Sequence, residues 1–153
     1  MTRINSGVEP WELCDQHLVA EYKEITRVQT LLCNKLKSQT PQEILSEIPK
    51  TFTLGTGHVK FFLDKQYYLY VRFHNLKAEM VRRGFNAKIN YEIKISKEYL
   101  DHFWDGVSNF FNIDLAREKI IVRLLQRGPK KPTWQGEPIN NWTKFVLQTG
   151  DWS

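Results

Sequence analysis

Residues 15–37 read DQHLVAEYKEITRVQTLLCNKLK, and this stretch decides the fold. It is rich in strong helix formers and contains neither Gly nor Pro, so it predicts one long helix with Asp15 as its N-cap. At 100° per residue, its apolar side chains fall in one stripe, the side that a helix buries against a core. The stripe consists of Leu18, Tyr22, Ile25, Leu32 and Leu36.

Three further segments predict helices. Residues 59–83 form a long candidate that ends at Gly84, a favourable residue just after a helix. Residues 97–111 have helical spacing, and residues 114–127 form a clearer helix closed by Gly128 and Pro129. Residues 89–95 alternate apolar and polar side chains, which fits a short strand or an extended loop. We predict an all-α fold, a compact single domain over residues 1–153 with three to four main helices and extended loops.

The composition indicates a globular protein. The chain has 153 residues, of which 41% are hydrophobic and 25% charged, a size that suits one core. No apolar run approaches the ~20 residues needed to cross a bilayer, and no signal-peptide pattern is present. We expect a soluble, cytoplasmic protein without a membrane partner, with Cys14 and Cys33 as reduced thiols. A monomer is the simplest state for so small a domain.

Positive charge is concentrated near the C terminus. The formal net charge is +5, and the sequence pI is about 9.2. This balance fits an anionic partner such as DNA, but an ordinary solvated surface fits it equally well. The basic residues of this stretch are Arg117, Lys119, Arg123, Arg127, Lys130 and Lys131.

The chain begins Met1-Thr2-Arg3-Ile4-Asn5, and removal of Met1 leaves a free α-amine on Thr2. An α-amine has a pKa of about 7.7–8.0, so a useful fraction is uncharged near neutral pH. Such an amine attacks a sugar carbon or carbonyl and forms a Schiff base, and a nearby carboxylate can move the protons. With Glu24 as that carboxylate, the pattern predicts a lyase-type enzyme acting on DNA without metal or cofactor.

Glu24 lies on a polar face of the predicted first helix. A carboxylate flanked by cations beside a small residue can hold a chain terminus or a sugar-phosphate. An ordinary solvated face is the alternative, since surface ion pairs are common and contribute little. The face contains Gln16, Ala20, Lys23 and Arg27, with His17 near its edge.

Three other features allow two interpretations each. The spacing of His17, Glu21 and Glu24 permits a metal site, but no further ligand cluster accompanies it, so we predict none. His58 opens a helix after a Gly-x-Gly loop, where it can contact a phosphate or pack in the core. Trp134 directly follows the basic stretch and either stacks on a base or sugar or anchors the tail.

The chain resembles the phage-type pyrimidine-dimer DNA glycosylases, the endonuclease V family of ultraviolet repair. The matching blocks lie in the same order over nearly the whole chain. They are Thr2-Arg3-Ile4-Asn5, Asp15-Gln16-His17-Leu18, Ala20-Glu21-Tyr22, Glu24, Arg27-Val28, Phe52, Leu54-Gly55, Gly57-His58-Val59, Phe61-Phe62, Asp64-Lys65, Arg83-Gly84-Phe85-Asn86 and Pro132-Thr133-Trp134.

The resemblance implies an all-helical domain whose N terminus threads between helices, in a bacterial or phage-infected cell. It implies glycosylase and then abasic-site lyase chemistry on double-stranded DNA with ultraviolet lesions. The Thr2 α-amine would attack C1′ of the 5′ nucleotide of a cyclobutane dimer, and Glu24 would act in proton transfer. The residues implied to contact DNA are Arg3, Gln16, His17, Lys23, Arg27, Arg123, Arg127 and Trp134.

The chain departs from the family pattern at several points. Lys23 stands where the family commonly has Arg, so the bidentate phosphate contact is lost there. Residues 89–111 match poorly, and Gln135-Gly136-Glu137 begins a different tail. A DNA-binding domain without catalysis and a glycosylase for another damaged base therefore remain as alternatives.

Overall fold

The computed structural model describes residues 2–106 and 111–153, and its regular structure is almost entirely helical. The predicted all-α class is therefore confirmed. Two short 3₁₀ turns, Pro10–Glu12 and Gly55–Gly57, and one two-stranded antiparallel sheet complete it. The helices are α1 (Asp15–Glu24), α2 (Thr26–Lys35), α3 (Pro41–Ser46), α4 (His58–Phe61), α5 (Gln66–Arg82), α6 (Lys97–Phe103), α7 (Ile113–Gln126) and α8 (Trp142–Leu147); the strands are β1 (Thr133–Trp134) and β2 (Glu137–Pro138).

The predicted first helix is present but divided at Ile25. This residue keeps helical dihedrals (φ −59°, ψ −32°), yet the N–H of Val28 donates back only three residues, to the Ile25 carbonyl. One tighter turn of this kind separates α1 from α2. The stripe buries as predicted, since Leu18, Ile25 and Leu32 are fully buried.

The predicted second helix is also divided, by turns at residues 62–65. The ammonium of Lys65 donates to the Phe61 carbonyl at the end of α4 and pairs with Asp64 at 2.8 Å. Both charged side chains are almost completely buried. A buried ion pair is stable only when further hydrogen bonds of this kind satisfy its remaining polar groups. At the far end of α5, Gly84 adopts the predicted left-handed conformation with φ 83°.

Residues 89–95 form no regular structure and pair with no strand within the described part of the chain. Side chains of the first two helices replace a strand partner. Tyr22 Oη accepts from the Ile89 N–H at 2.7 Å. The Gln29 amide donates to the Glu92 carbonyl and accepts from the Lys94 N–H, both at 2.8 Å. The loop interpretation is therefore the correct one.

The helices α6 and α7 differ in extent from the helices predicted there. Helix α6 ends at Phe103, short of the predicted residue 111, and residues 107–110 lie outside the described residues. Helix α7 starts one residue earlier than predicted, because the Asn112 side chain accepts from the N–H groups of Asp114 and Leu115 as an N-cap.

The tail docks on the start of α1. The N-cap of α1 is Cys14 and not Asp15, as the sequence predicted. The Asp15 carboxylate instead accepts from Thr133 Oγ1 at 2.6 Å and from the N–H groups of Gln135 and Gly136, both at 2.9 Å. The guanidinium of Arg83 donates to the same carboxylate at 2.9 Å.

The buried hydrophobic residues form one cluster that extends from Ile4 to Val146. The N-terminal segment, residues 2–8, is part of it, since Ile4 and Val8 are buried between the helices. The predicted threading of the N terminus is thus observed. No helix in the described ranges is long and apolar enough to cross a membrane.

Gly7 is required where this segment crosses α7. It has φ 83°, and a Cβ there would lie 2.5 Å from Arg117 Cβ and 2.7 Å from the Ile113 carbonyl oxygen. We expect Gly7→Ala to lower the free energy of unfolding by about 3 kcal/mol, the sum of left-handed strain and overpacking. Urea denaturation measures this loss.

Gly84→Ala is the matched control for that prediction. Gly84 has the same φ of 83°, but no atom lies within 4 Å of its added Cβ. It reports the backbone strain alone, about 1 kcal/mol. Equal losses for the two variants would show that the contact with α7 is unimportant.

Candidate active site

Three side chains from three helices hold the N-terminal segment in place. The Glu21 carboxylate accepts from Asn5 N–H at 3.2 Å and from Asn5 Nδ2 at 2.8 Å. Arg72 pairs with Glu21 at 2.7 Å and donates to the Val8 carbonyl at 2.7 Å. Arg117 donates to the Gly7 carbonyl at 2.9 Å. The nearly complete burial of Glu21 and Arg72 removes these contacts from competition with water.

His58 makes the contact nearest to the start of the segment. Its Nε2 accepts from the Ile4 N–H at 2.9 Å, and its Nδ1 lies 2.9 Å from the Thr53 carbonyl oxygen. The ring is buried against Phe52 and Phe62. It therefore packs in the core, as one of its two sequence interpretations predicts.

Residue 2 lies at a cleft of about 200 Å³. Thr2 is 8% exposed, and its neighbours across the cleft come from the turn before α4 and from α7. Within the described residues, no Asp or Glu lines this cleft. The lining residues are Thr2, Arg3, Leu54, Gly55, His58, Arg123 and Arg127.

Arg3, Arg123 and Arg127 line this cleft, and Glu21, which does not line it, is the acid whose charge acts on Arg3. Over residues 2–106 and 111–153, none of the three side chains forms an ion pair or hydrogen bond. Burial lowers the pKa of Arg3, and the positive charges of Arg123 and Arg127 lower it further. An arginine stays protonated in proteins all the same. The three guanidinium groups thus create a positive cleft suited to an anion, above all to phosphate.

Glu24 lines a smaller cavity of about 80 Å³ beside the cleft. Arg3 borders both spaces, so the surroundings of Thr2 and of Glu24 adjoin through one side chain. The Glu24 side chain is 25% exposed and pairs with Arg27 at 3.1 Å. The other residues of the small cavity are Asn5, His17, Ala20 and Glu21.

The remaining sequence-predicted residues lie in different surroundings. Lys23 is exposed and has no ion pair with the described residues. The Gln16 amide already donates to the Lys131 carbonyl at 3.2 Å and accepts from the Thr133 N–H at 3.1 Å. Trp134 donates to the Trp11 carbonyl at 2.9 Å. It therefore anchors the tail, and its contact with DNA stays a prediction.

Two histidines, His17 (partly buried) and His58 (buried), make the stability of this region depend on pH. Burial lowers the pKa of His17 to about 4, and the charge of Arg3 adds to the effect. Burial also lowers the pKa of His58. In the unfolded chain, both imidazole rings take up a proton at about pH 6.5. The stability that the neutral rings contribute is therefore fully present above that pH and is lost as the pH falls toward the folded pKa values.

We accordingly expect the free energy of unfolding to fall between about pH 7 and pH 5, above the range in which carboxylates titrate. Urea denaturation at several pH values measures it. The double variant His17→Gln, His58→Gln should show a flatter dependence over the same range. A wild-type free energy that stays constant or rises toward pH 5 would contradict neutral histidines in the folded protein.

Unpaired arginines around a cleft are the charge pattern with which proteins bind nucleic-acid phosphates. The comparison with known families agrees with this pattern. Residues 1–93 match the family described as pyrimidine dimer DNA glycosylase. Because the match covers more than half of the 153 residues, the chain belongs to the pyrimidine dimer DNA glycosylase family. The suspected family is thereby confirmed, and such enzymes act on DNA that contains pyrimidine dimers.

Sequence reasoning missed the residues that position the N terminus. Arg72 looks like a surface cation, but it shares the buried side of α5 with Leu69, Phe73 and Leu76. A charged residue at a buried position of a helix is a signal for a buried pair. In the sequence, Glu21 has the spacing of a possible metal ligand with His17 and Glu24, which gives no sign of its contact with Asn5. Across the described ranges, no group of three His, Cys, Asp or Glu residues is arranged to hold a metal ion.

Proposed function

We propose that this protein is a pyrimidine-dimer DNA glycosylase with abasic-site lyase activity, whose nucleophile is the α-amine of Thr2 after removal of Met1. The observation that carries the proposal is the placement of residue 2 in a cleft lined by three unpaired arginines, beside the cavity of Glu24. In a chain of this family, that placement brings a nucleophile, phosphate-binding cations and a carboxylate into one region.

The reaction proceeds in two stages. The neutral amine bonds to C1′ of the 5′ nucleotide as the glycosidic bond breaks, and the base leaves with the bonding electrons while staying attached to its neighbour through the cyclobutane ring. Loss of the amine proton and opening of the sugar give an imine. Removal of a C2′ proton then expels the 3′ phosphate, and water releases the enzyme. Glu24 accepts and returns protons and stabilises the cationic intermediate.

The arginines hold the phosphates on either side of the reacting sugar. Arg3 lies between the two cavities, where it can contact the phosphate while the sugar extends toward Glu24. Arg123 and Arg127 lie outside the family match, which ends at residue 93. Their presence at the same cleft supports a single DNA-repair domain over residues 1–153. We also assign phosphate contacts to the exposed cations Lys23 and Arg27 and DNA contacts to Gln16 and His17, which share the first two helices with Glu24.

Borohydride trapping on a duplex with one thymine dimer tests the proposal. Reduction of the imine should link the protein to DNA, and mass spectrometry should locate the link at the N-terminal peptide. An undamaged duplex is the negative control. Tight binding without an adduct on dimer or abasic DNA would indicate a binding domain instead. An adduct on abasic DNA alone would indicate a glycosylase for another damaged base.

The arginine cleft makes a separate prediction about binding. Arg123→Ala should weaken DNA binding and reduce the slope of log K against log salt by about one, the effect of one lost phosphate contact. Fluorescence anisotropy over a salt series measures both. Lys97→Ala is the control, because Lys97 is an exposed cation that lines neither cavity. Equal slopes for the two variants would exclude Arg123 from phosphate contact.

A further inference from the structure

His58 lines the cleft of Thr2 and hydrogen-bonds the N-terminal segment two residues from Thr2. Within the described residues, it is the only side chain that hydrogen-bonds the backbone of residues 2–4, through Ile4 N–H and Nε2 at 2.9 Å. The Glu21 and Arg72 contacts begin one residue later, at Asn5. The Ile4 side chain is itself buried in the core, and the His58 contact fixes the amide on its N-terminal side, toward residue 2.

The hydrogen-bond partners of His58 define its protonation state. A backbone N–H only donates, so Nε2 must be the acceptor toward Ile4. The Thr53 carbonyl only accepts, so Nδ1 must carry the proton. Both ring nitrogens of the neutral ring are thus engaged within the protein, and neither is available to take a proton from DNA. A role as general base is therefore excluded, although His58 borders the cleft.

Resting on the proposed function, we propose that His58 is a positioning residue for the glycosylase and lyase reaction, which aims the α-amine of Thr2 at the sugar carbon through the amide of Ile4. It performs this role as the neutral Nδ1–H tautomer. Only two residues separate Ile4 from the reacting nitrogen, so a rotation at Ile4 displaces the amine directly. A displacement of about 1 Å can slow a reaction about a hundredfold.

Two substitutions distinguish the effect of the hydrogen-bond acceptor of His58 from the effect of its ring. His58→Phe keeps an aromatic ring between Phe52 and Phe62 but removes the acceptor toward Ile4. His58→Gln places an amide oxygen near the position of Nε2 and retains the acceptor. The control is Gln29→Leu, which also removes two buried hydrogen bonds to the backbone, to Glu92 and Lys94. These lie outside the N-terminal segment.

The experiment is single-turnover borohydride trapping on a duplex with one abasic site, alongside DNA affinity and Tm. We expect His58→Phe to lower the trapping rate by about tenfold to a hundredfold while Kd changes less than about threefold. His58→Gln should recover most of the rate. Gln29→Leu should lower Tm comparably to His58→Phe and leave the rate near the wild-type value.

The other outcomes overturn the proposal, and they distinguish failure of the positioning role from failure of the proposed function. If the wild-type protein forms the adduct and His58→Phe forms it at the same rate, His58 has no positioning role, but the proposed function stands. The same conclusion follows if His58→Gln and His58→Phe lose the trapping rate equally. If the wild-type protein forms no adduct, both the positioning role of His58 and the proposed function are refuted. If His58→Phe does not fold by circular dichroism, His58→Asn replaces it. Its short amide reaches Thr53 but not Ile4, so a rate equal to that of His58→Gln would refute the role.

Discussion

Thr2→Leu is expected to lower borohydride trapping by at least about a hundredfold, since it moves the reactive amine by one residue, about 3.8 Å. A small residue at position 2 permits removal of Met1, whereas leucine causes its retention. The nitrogen of residue 2 then belongs to a peptide bond and is no longer a nucleophile. The binding arginines are unchanged, so DNA affinity should stay near the wild-type value.

Thr2→Ala is the matched control, because alanine is also small and leaves a free α-amine at the same place. Intact-protein mass spectrometry establishes which of the three proteins has lost Met1. The threonine hydroxyl has no assigned part in the reaction, so Thr2→Ala should trap DNA at a rate close to wild type. If Thr2→Leu retains Met1 and still forms the adduct at full rate, the nucleophile is another amine.

The second large effect is expected at Glu24. Glu24→Gln should lower the rate of strand cleavage by about 10²–10⁴-fold, the usual contribution of a positioned acid–base group. Glutamine has almost the same size, so the walls of the small cavity are preserved. The substitution weakens the contact with Arg27, which is 64% exposed and contributes little to stability. Gel assays of cleavage on dimer-containing duplex measure the effect.

Glu98→Gln is a suitable control for this prediction, because Glu98 is an exposed acid in the first turn of α6 and lines neither cavity. It changes the net charge by the same amount without touching the region of residue 2. Binding of Glu24→Gln to dimer DNA should be retained or slightly stronger, since one negative charge near the phosphates is lost. Normal cleavage by Glu24→Gln would exclude this carboxylate from proton transfer.

The site shows how far local sequence reasoning reaches. Thr2 and Glu24 can be proposed as reactive residues from the sequence. An N-terminal amine and a carboxylate have an intrinsic reactivity that can be stated without knowing which residues surround them. Arg123 and Arg127 are visible only as part of a basic stretch, which fits a solvated surface equally well. Their arrangement around Thr2 depends on packing between segments about 120 residues apart, and no local pattern encodes such a contact.

The same division holds for the buried polar residues. The sequence leaves His58 open between a phosphate contact and core packing, gives Arg72 no role beyond that of a cation, and predicts Asp15 as an N-cap. In the fold they hold Ile4, Val8 and the tail, respectively. A buried polar group takes whichever partner saturates it, and that partner is decided by the packing of distant elements.

The sequence by itself determined the helical class, the buried stripe of the first helix and the end of α5 before Gly84, and it is the source of the prediction that Thr2 and Glu24 react. These follow from periodicity, backbone preference and intrinsic pKa, which act within a few residues. Only the tertiary structure decided where the helices break, that residues 89–95 pair with side chains, and that Arg123 and Arg127 line the same cleft as Thr2 and Arg3. Those outcomes depend on the packing of segments that are distant in the sequence. Because burying a polar group without a hydrogen-bond partner is costly, each polar group either pairs with a group from another segment or stays in contact with water.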